Sequence, residues 1–313
     1  MKDPRIVFLD KSTLGDIDNI DEISILGKFI AYDETQLNLR IERSAEAHVL
    51  ITNKVLIDKE LIDACPNLKL ICVAATGMNN VDLEYAEKNN IVVKNVAGYS
   101  TDSVAQSTIS MLLYLVHRSR YYDEYVKSGE YIQSPVFTHM GPAFWELKNK
   151  IFGIIGLGAI GKRVAELASA FGSKIVYYST SGTNIKSVYE HRDLATLLKI
   201  SDIVSVHCPL NENTKNLISM EELRLMKREA FLLNMGRGGI VNEEALSQAI
   251  DQEIIAGAAL DVLSAEPAQA DNPLMHVKKK DRLFITPHIA WASVESRRVL
   301  VSKIARNIKE FLR

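Results

Sequence analysis

Three side chains able to act together on a carbonyl follow one another late in the chain: Arg237 in NMGRGG, Glu266 in LDVLSAEP and His288 in TPHIAWAS. Each stands just past an apolar run of strand character. In an open α/β sheet, ligands occupy the crevice beyond the carboxyl ends of the strands, so residues at successive strand ends can converge there. The chemistry they suit is hydride transfer to a ketone. As the carbonyl oxygen gains charge it needs a proton, and near neutral pH an imidazolium is the natural donor, which makes His288 the acid. Glu266 can hydrogen-bond the other ring nitrogen, orienting the ring and stabilising its charged form. Arg237 can hold a carboxylate with its forked guanidinium. Singly, a His after Pro is a turn residue, a Glu before Pro a solvated one and an Arg a surface charge; order and strand-end context give the three their weight.

A hydride needs a carrier, and a carrier site is written upstream. After the strand-like IFGII comes Gly156-Leu157-Gly158-Ala159-Ile160-Gly161, then a helix-like run and a second strand, KIVYY. Gly156 permits the tight turn, Gly158 lets a pyrophosphate approach the backbone, and Gly161 lets the helix pack close to its strand, with Ala159 and Ile160 opening the helix whose amides face phosphate. A lone G-x-G-x-x-G is a weak signal; strand, helix and strand in register make it a dinucleotide fingerprint. About twenty positions on, such sites carry a carboxylate for the adenosine ribose. This chain reads Ser179-Thr180-Ser181 there, so nothing at that point repels a 2′-phosphate, and Lys186 or Arg192 can add positive charge. NAD and NADP both stay open as the cofactor.

The elements that must position these residues fall into two sets. Apolar runs at Ile6–Leu9, Phe29–Tyr32, His48–Thr52, Leu68–Val73 and Ile91–Val93 alternate with helical segments, and a second series follows at Ile151–Ile155, Lys174–Tyr178, Ile203–His207, Ala230–Asn234, Ile254–Val262 and Leu283–Thr286. Such alternation predicts two doubly wound parallel sheets covered by helices, an α/β architecture. A long helix is expected over Asp102–Arg118, and a final amphipathic one over Ser293–Leu312 with Leu300, Val301, Ile304, Ile308 and Phe311 on one face. Residues 119–148 interleave aromatics with Gly and Pro and read as an extension.

The 313 residues exceed what one core usually serves. A net charge of −2 without long single-sign runs gives no nucleic-acid or membrane surface. Cys65, Cys72 and Cys208 lack metal-ligand spacing and cannot all pair, and no signal peptide or apolar stretch of about 20 residues is present, so a reducing cytoplasm and no metal are expected. No G-x-S-x-G or H-E-x-x-H points to serine or zinc chemistry.

Taken together, the motifs resemble the D-isomer-specific 2-hydroxyacid dehydrogenases along nearly the whole chain, through AATGMNNVDLEYA, NVAGYSTDSVAQ, ELKNKIFGIIGLGAIG and VSVHCPLNENTKNLI to the last His motif. The resemblance implies a Rossmann cofactor domain (99–288) inserted into a flavodoxin-like substrate domain (1–98 plus 289–313), and a homodimer through the cofactor domains. It implies that Thr76 and Gly77 hold the substrate carboxylate with Arg237, that Ser103, Cys208, Pro209 and Thr214 touch cofactor, and that Asp261 meets the nicotinamide carboxamide. His207 is expected to pack beside the dinucleotide without transferring protons. Gln106, Ala97, the pair Met235-Gly236 and Ser179 depart from the family pattern without removing a catalytic group. HIAWAS, with Trp291, and SPVFTH followed by PAFWELKNK resemble the glycerate dehydrogenase (hydroxypyruvate reductase) branch, which implies hydroxypyruvate/D-glycerate first and glyoxylate/glycolate second. The rival expectation is a nucleotide-sensing, corepressor-like binding protein on the same fold.

Overall fold

The apolar runs of the first hundred residues form five parallel strands: β1 (Arg5–Phe8), β2 (Lys28–Ala31), β3 (Val49–Thr52), β4 (Leu70–Val73) and β5 (Val92–Lys94), in the order β2-β1-β3-β4-β5. In this computed structural model, which describes residues 3–183, 185 and 187–313, they belong to a unit made of residues 1–100 and 292–313. Strands β3 and β4 are buried at every residue, as parallel strands covered on both faces must be. The order is that of a flavodoxin-like sheet and reverses between β1 and β3.

The last helix, Val294–Leu312, returns to this unit. It packs on β4 and on the short helix Asp21–Ser24 and buries Leu300, Val301, Ile304 and Ile308. Ser293 caps its start by accepting from the Ser296 amide at 3.2 Å, and Arg297 Nη1 donates to the Leu14 and Asp16 carbonyls at 2.8 and 2.7 Å. The apolar stripe read from the sequence therefore belongs to the first sheet, a point that periodicity alone left open.

The second unit, residues 101–291, holds β6 (Ile151–Ile155), β7 (Lys174–Tyr178), β8 (Glu190–His191), β9 (Ile203–Val206), β10 (Phe231–Asn234), β11 (Gly257–Leu260) and β12 (Leu283–Ile285). The order β12-β11-β10-β9-β6-β7-β8 is parallel throughout and reverses between β6 and β9, as in a Rossmann sheet with one added strand. The helix Thr101–Val116 packs against Ala159–Ala170, the helix that follows the glycine loop.

Three elements differ from the sequence reading. β11 is four residues long rather than nine, because the Ile254 amide bonds back to the Ala249 carbonyl at 2.9 Å and so closes the helix Glu243–Asp251. β8 is a two-residue polar edge strand, too short and too hydrophilic for an apolar pattern to reveal. The long helix ends at Val116 because Arg118 takes a left-handed conformation (φ +52°), and a second helix, Ser119–Lys127, starts within the aromatic stretch, where Tyr125 stacks on His139 at 3.8 Å. Among the described residues no helix is long and apolar enough to cross a membrane.

Candidate active site

The glycine loop follows β6 at the point where the second sheet reverses. Gly156 has φ +93°, and a Cβ there would stand 2.7 Å from the Cys208 amide, so the ends of β6 and β9 approach more closely than any side chain permits. At Gly161 a Cβ would lie 2.3 Å from the Gly156 carbonyl, which is why helix and strand need a glycine. Beside Gly158 the space is open, the room a pyrophosphate requires at a helix start whose first amides lack intrahelical partners. Bare backbone, an open face and a helix N-terminus together fit a dinucleotide.

Glu266 and His288, 22 positions apart, come together beyond β11 and β12. His288 Nδ1 lies 2.7 Å from one Glu266 oxygen, while the other accepts the Leu263 amide at 3.0 Å. Both side chains are about one-third exposed or less, 26% for His288 and 34% for Glu266, so water reaches the pair without swamping it. With Nδ1 engaged, the free edge of the ring is Nε2.

His288 has φ +55°, a conformation that side chains with a Cβ adopt rarely and at a cost of roughly 1–3 kcal/mol. The bonds around it maintain it. Asp261, 3% exposed, accepts from Thr286 Oγ1 at 2.6 Å and from the Ile289 and Ala290 amides at 2.9 Å each. Trp291 Nε1 donates to the His288 carbonyl at 2.9 Å, and Ser103 Oγ to the Ala290 carbonyl at 2.6 Å. Burial pushes the Asp261 carboxyl above its ordinary value, and the hydrogen bonds from Thr286, Ala290 and Ile289, with the nearby His288, pull it back. Asp261 and Ser103, expected as cofactor contacts, brace the turn that holds His288. Thr286 belongs to the same brace and was not singled out in the sequence, where only its place two residues before His288 marks it.

Arg237 leaves β10 on a loop pressed against the one that carries Glu266. A Cβ at Gly238 would stand 1.9 Å from the Leu263 carbonyl, so the two loops touch backbone to backbone. The guanidinium donates to the Gly236 carbonyl at 2.8 Å, and no carboxylate among the described residues pairs with it. It therefore keeps donors for an anion.

Thr76 and Gly77 lie in the first unit, in the turn after β4. Their amides donate to no group among the described residues, and neither do those of Met78, Asn79 and Asn80. A run of unclaimed N–H groups at a strand end is a ready acceptor of carboxylate oxygens.

The remaining expected cofactor residues are mostly where the loops need them. Thr214 is fully buried and donates to the Pro209 carbonyl at 2.7 Å, closing its own turn. Ser179, 7% exposed, lies 3.5 Å from the Ser181 hydroxyl, which contacts Thr183 Oγ1 at 2.8 Å; a short chain of hydroxyls, continuing past Thr180, takes the place of the carboxylate. Arg192 is ion-paired with Glu190, and Lys186 lies outside the described residues. Burial drives the His207 pKa down to about 3; its Nε2 meets Ser205 Oγ at 2.8 Å, and its buried Nδ1 has no partner among the described residues. That ring is neutral near pH 7 and holds no proton to give beyond its resident one. The three cysteines are free, and burial raises their thiols to about 11 (Cys65, Cys208) and 12 (Cys72), well away from thiolate chemistry.

Comparison with known proteins matches this geometry. Residues 109–290 fit the family model of the D-isomer specific 2-hydroxyacid dehydrogenase NAD binding domain. The chain is 35% identical to a hydroxypyruvate reductase of Blautia hydrogenotrophica, covering 99% of this chain and 97% of that one, and 33% identical to a glycerate dehydrogenase of Methylorubrum extorquens, covering 98% and 96%. It superposes on the crystal structure of a D-lactate dehydrogenase from Aquifex aeolicus, complexed with NAD and lactic acid, with a TM-score of 0.83 at 27% identity, covering 98% of this chain and 95% of that one. The match spans the glycine loop, Arg237 and Glu266 and ends just past His288, so the chain belongs to the D-isomer specific 2-hydroxyacid dehydrogenase family.

Proposed function

We propose that the protein reduces a small 2-keto acid to the D-2-hydroxy acid at the expense of NADH or NADPH, acting on hydroxypyruvate/D-glycerate first and glyoxylate/glycolate second. The observation that carries this reading is the 2.7 Å Glu266–His288 pair, at the same end of the sheet as the glycine loop. When bound, the dihydronicotinamide supplies the hydride. Gly156, Gly158, Ala159, Ile160 and Gly161 would hold its pyrophosphate, Ser179 and Thr180 its adenosine ribose, and Ser103, Cys208, Pro209, Thr214 and Asp261 the rest.

His288 hands the proton on Nε2 to the oxygen that becomes the hydroxyl, and Glu266, fixed on Nδ1, keeps the ring oriented. Arg237 in the one unit and the unclaimed amides of Thr76 and Gly77 in the other are each suited to a carboxylate. Residues 101–291 act as the cofactor unit, and residues 1–100 with 292–313 as the substrate unit. The name of the Blautia relative and the HIAWAS motif support hydroxypyruvate as the first substrate.

A panel of hydroxypyruvate, glyoxylate, pyruvate, oxaloacetate and phosphohydroxypyruvate, each with both reduced cofactors and followed by nicotinamide absorbance, tests this reading. Activity on the first two is expected; inactivity on all five would return the binding-protein reading. The hydroxyls at Ser179 and Ser181 predict that NADPH is accepted. A preference for NADH above about a hundredfold, some 2.7 kcal/mol, would sink that expectation.

The protein works in the cytoplasm, in keeping with its free cysteines. It assembles as a homodimer through the cofactor unit, where Ile132, Phe137, Met140 and Phe144 offer exposed apolar surface. Sedimentation as a monomer at micromolar concentration would remove the dimer from this reading.

A further inference from the structure

At the point where the first sheet reverses, between β1 and β3, an α/β fold commonly binds an anion on free backbone amides. Here the chain supplies the anion. Asp10, one residue past Leu9 and 4% exposed, accepts the Asn53 amide on both oxygens (2.9 and 3.1 Å), and the Lys54 and Val55 amides at 2.6 and 3.3 Å. Val55 also donates to Thr52 Oγ1 at 3.0 Å. Burying a carboxylate is costly unless it is hydrogen-bonded, and the three consecutive amides that satisfy this one tie the turn to Asp10.

That turn carries one charged side chain. Lys54 is exposed, and its ammonium makes no hydrogen bond or ion pair among the described residues. The neighbouring strand end holds the amides of Thr76 and Gly77, and the two loops are stitched together: Thr52 pairs with Val73, Asn80 Nδ2 donates to the Val55 carbonyl at 2.9 Å, and the Ile57 amide to the Asn80 carbonyl at 2.8 Å. The turn that carries Lys54 is thus held next to the turn that carries the amides assigned to the substrate carboxylate, and an exposed ammonium is a strong donor.

We infer that Lys54 is a specificity-determining residue that reads an oxygen substituent on C3 of the keto acid, and that Asp10 is the positioning residue that fixes it. The inference rests on the reading of Thr76 and Gly77 given above. Hydroxypyruvate carries such an oxygen, whereas glyoxylate has no C3, so the pair isolates the contact from everything the two substrates share.

The test is the ratio of kcat/KM for hydroxypyruvate to that for glyoxylate. Because hydrogen bonds to a charged group are worth about ten- to a hundredfold, Lys54→Met is expected to lower the ratio by about tenfold or more, and Lys54→Arg to retain most of it. Asp10→Asn should lower it too, and the double variant D10N/K54M should add little, since both remove one contact. A purely structural Asp10 would depress both substrates alike and leave the ratio in place. A ratio within about twofold of the wild type in Lys54→Met overturns the inference alone. Wild-type protein that reduces neither keto acid overturns the reading of the site, and this inference with it.

Discussion

Replacing His288 with alanine is expected to lower turnover by about a hundred- to ten-thousandfold, the usual worth of a positioned general acid. The loss should fall on kcat. Among the described residues the imidazole makes its hydrogen bond to Glu266 and none to the glycine loop or the helix after it, so NADH or NADPH should still quench protein fluorescence with nearly the wild-type dissociation constant. The turn itself should persist, because Asp261, Trp291 and Ser103 hold the backbone of residues 288–290 and Thr286 through atoms that the substitution leaves in place. Turnover undiminished in the variant would refute the assignment of His288. A variant that lost cofactor binding as well would place the ring in structure rather than in proton transfer.

The second large effect needs no loss of a functional group. Gly238→Ala adds one methyl, but that methyl would begin 1.9 Å from the Leu263 carbonyl, so one of the two loops must move. One carries Arg237, and the other carries the amide that positions Glu266. Displacements near 1 Å cost about a hundredfold when reacting groups must meet in one geometry. kcat/KM should therefore fall by about that factor, with Arg237, Glu266 and His288 all still present. A variant that folds, as judged by its thermal unfolding midpoint, and reduces hydroxypyruvate at the wild-type rate would show that the contact between the loops does not set the site.

Much of this was legible in the residues, for reasons that differ from one element to the next. Strands such as Ile151–Ile155 and Lys174–Tyr178 could be read to the residue because parallel strands are covered on both faces, so their central residues are buried and appear as apolar runs, Lys174 being the exposed exception at one end. The same signal failed at Ile254–Val262, where apolar residues first finish a helix and then begin a strand; burial is common to both, and hydrogen bonding alone separates them. The polar edge strand Glu190–His191 buries nothing and so left no pattern.

In the site, Arg237, Glu266 and His288 stood out because each ends a strand in a distinctive motif. The brace around His288 did not, since the three donors to Asp261 are two backbone amides and one threonine hydroxyl. Backbone groups carry no letter in a sequence. Asp10 was silent for the same reason: its acceptors' partners are the amides of Asn53, Lys54 and Val55, 43 to 45 positions away. Three histidines outside the site make local contacts: His117 stacks on Phe144, His276 bonds the Ala270 carbonyl, and His48 Nδ1 accepts the Arg5 amide.

The helix Val294–Leu312 also orders events in time. On the ribosome, β1 to β5 emerge before the helix Val294–Leu312, so β4 lacks the cover that Leu300, Ile304 and their neighbours give it until that helix is released. Residues 101–291 contain their whole sheet in one continuous stretch and can mature while synthesis proceeds. The discontinuous unit is thus completed after the continuous one, so a nascent chain can finish its nucleotide-binding sheet before the sheet that carries Lys54 and Thr76.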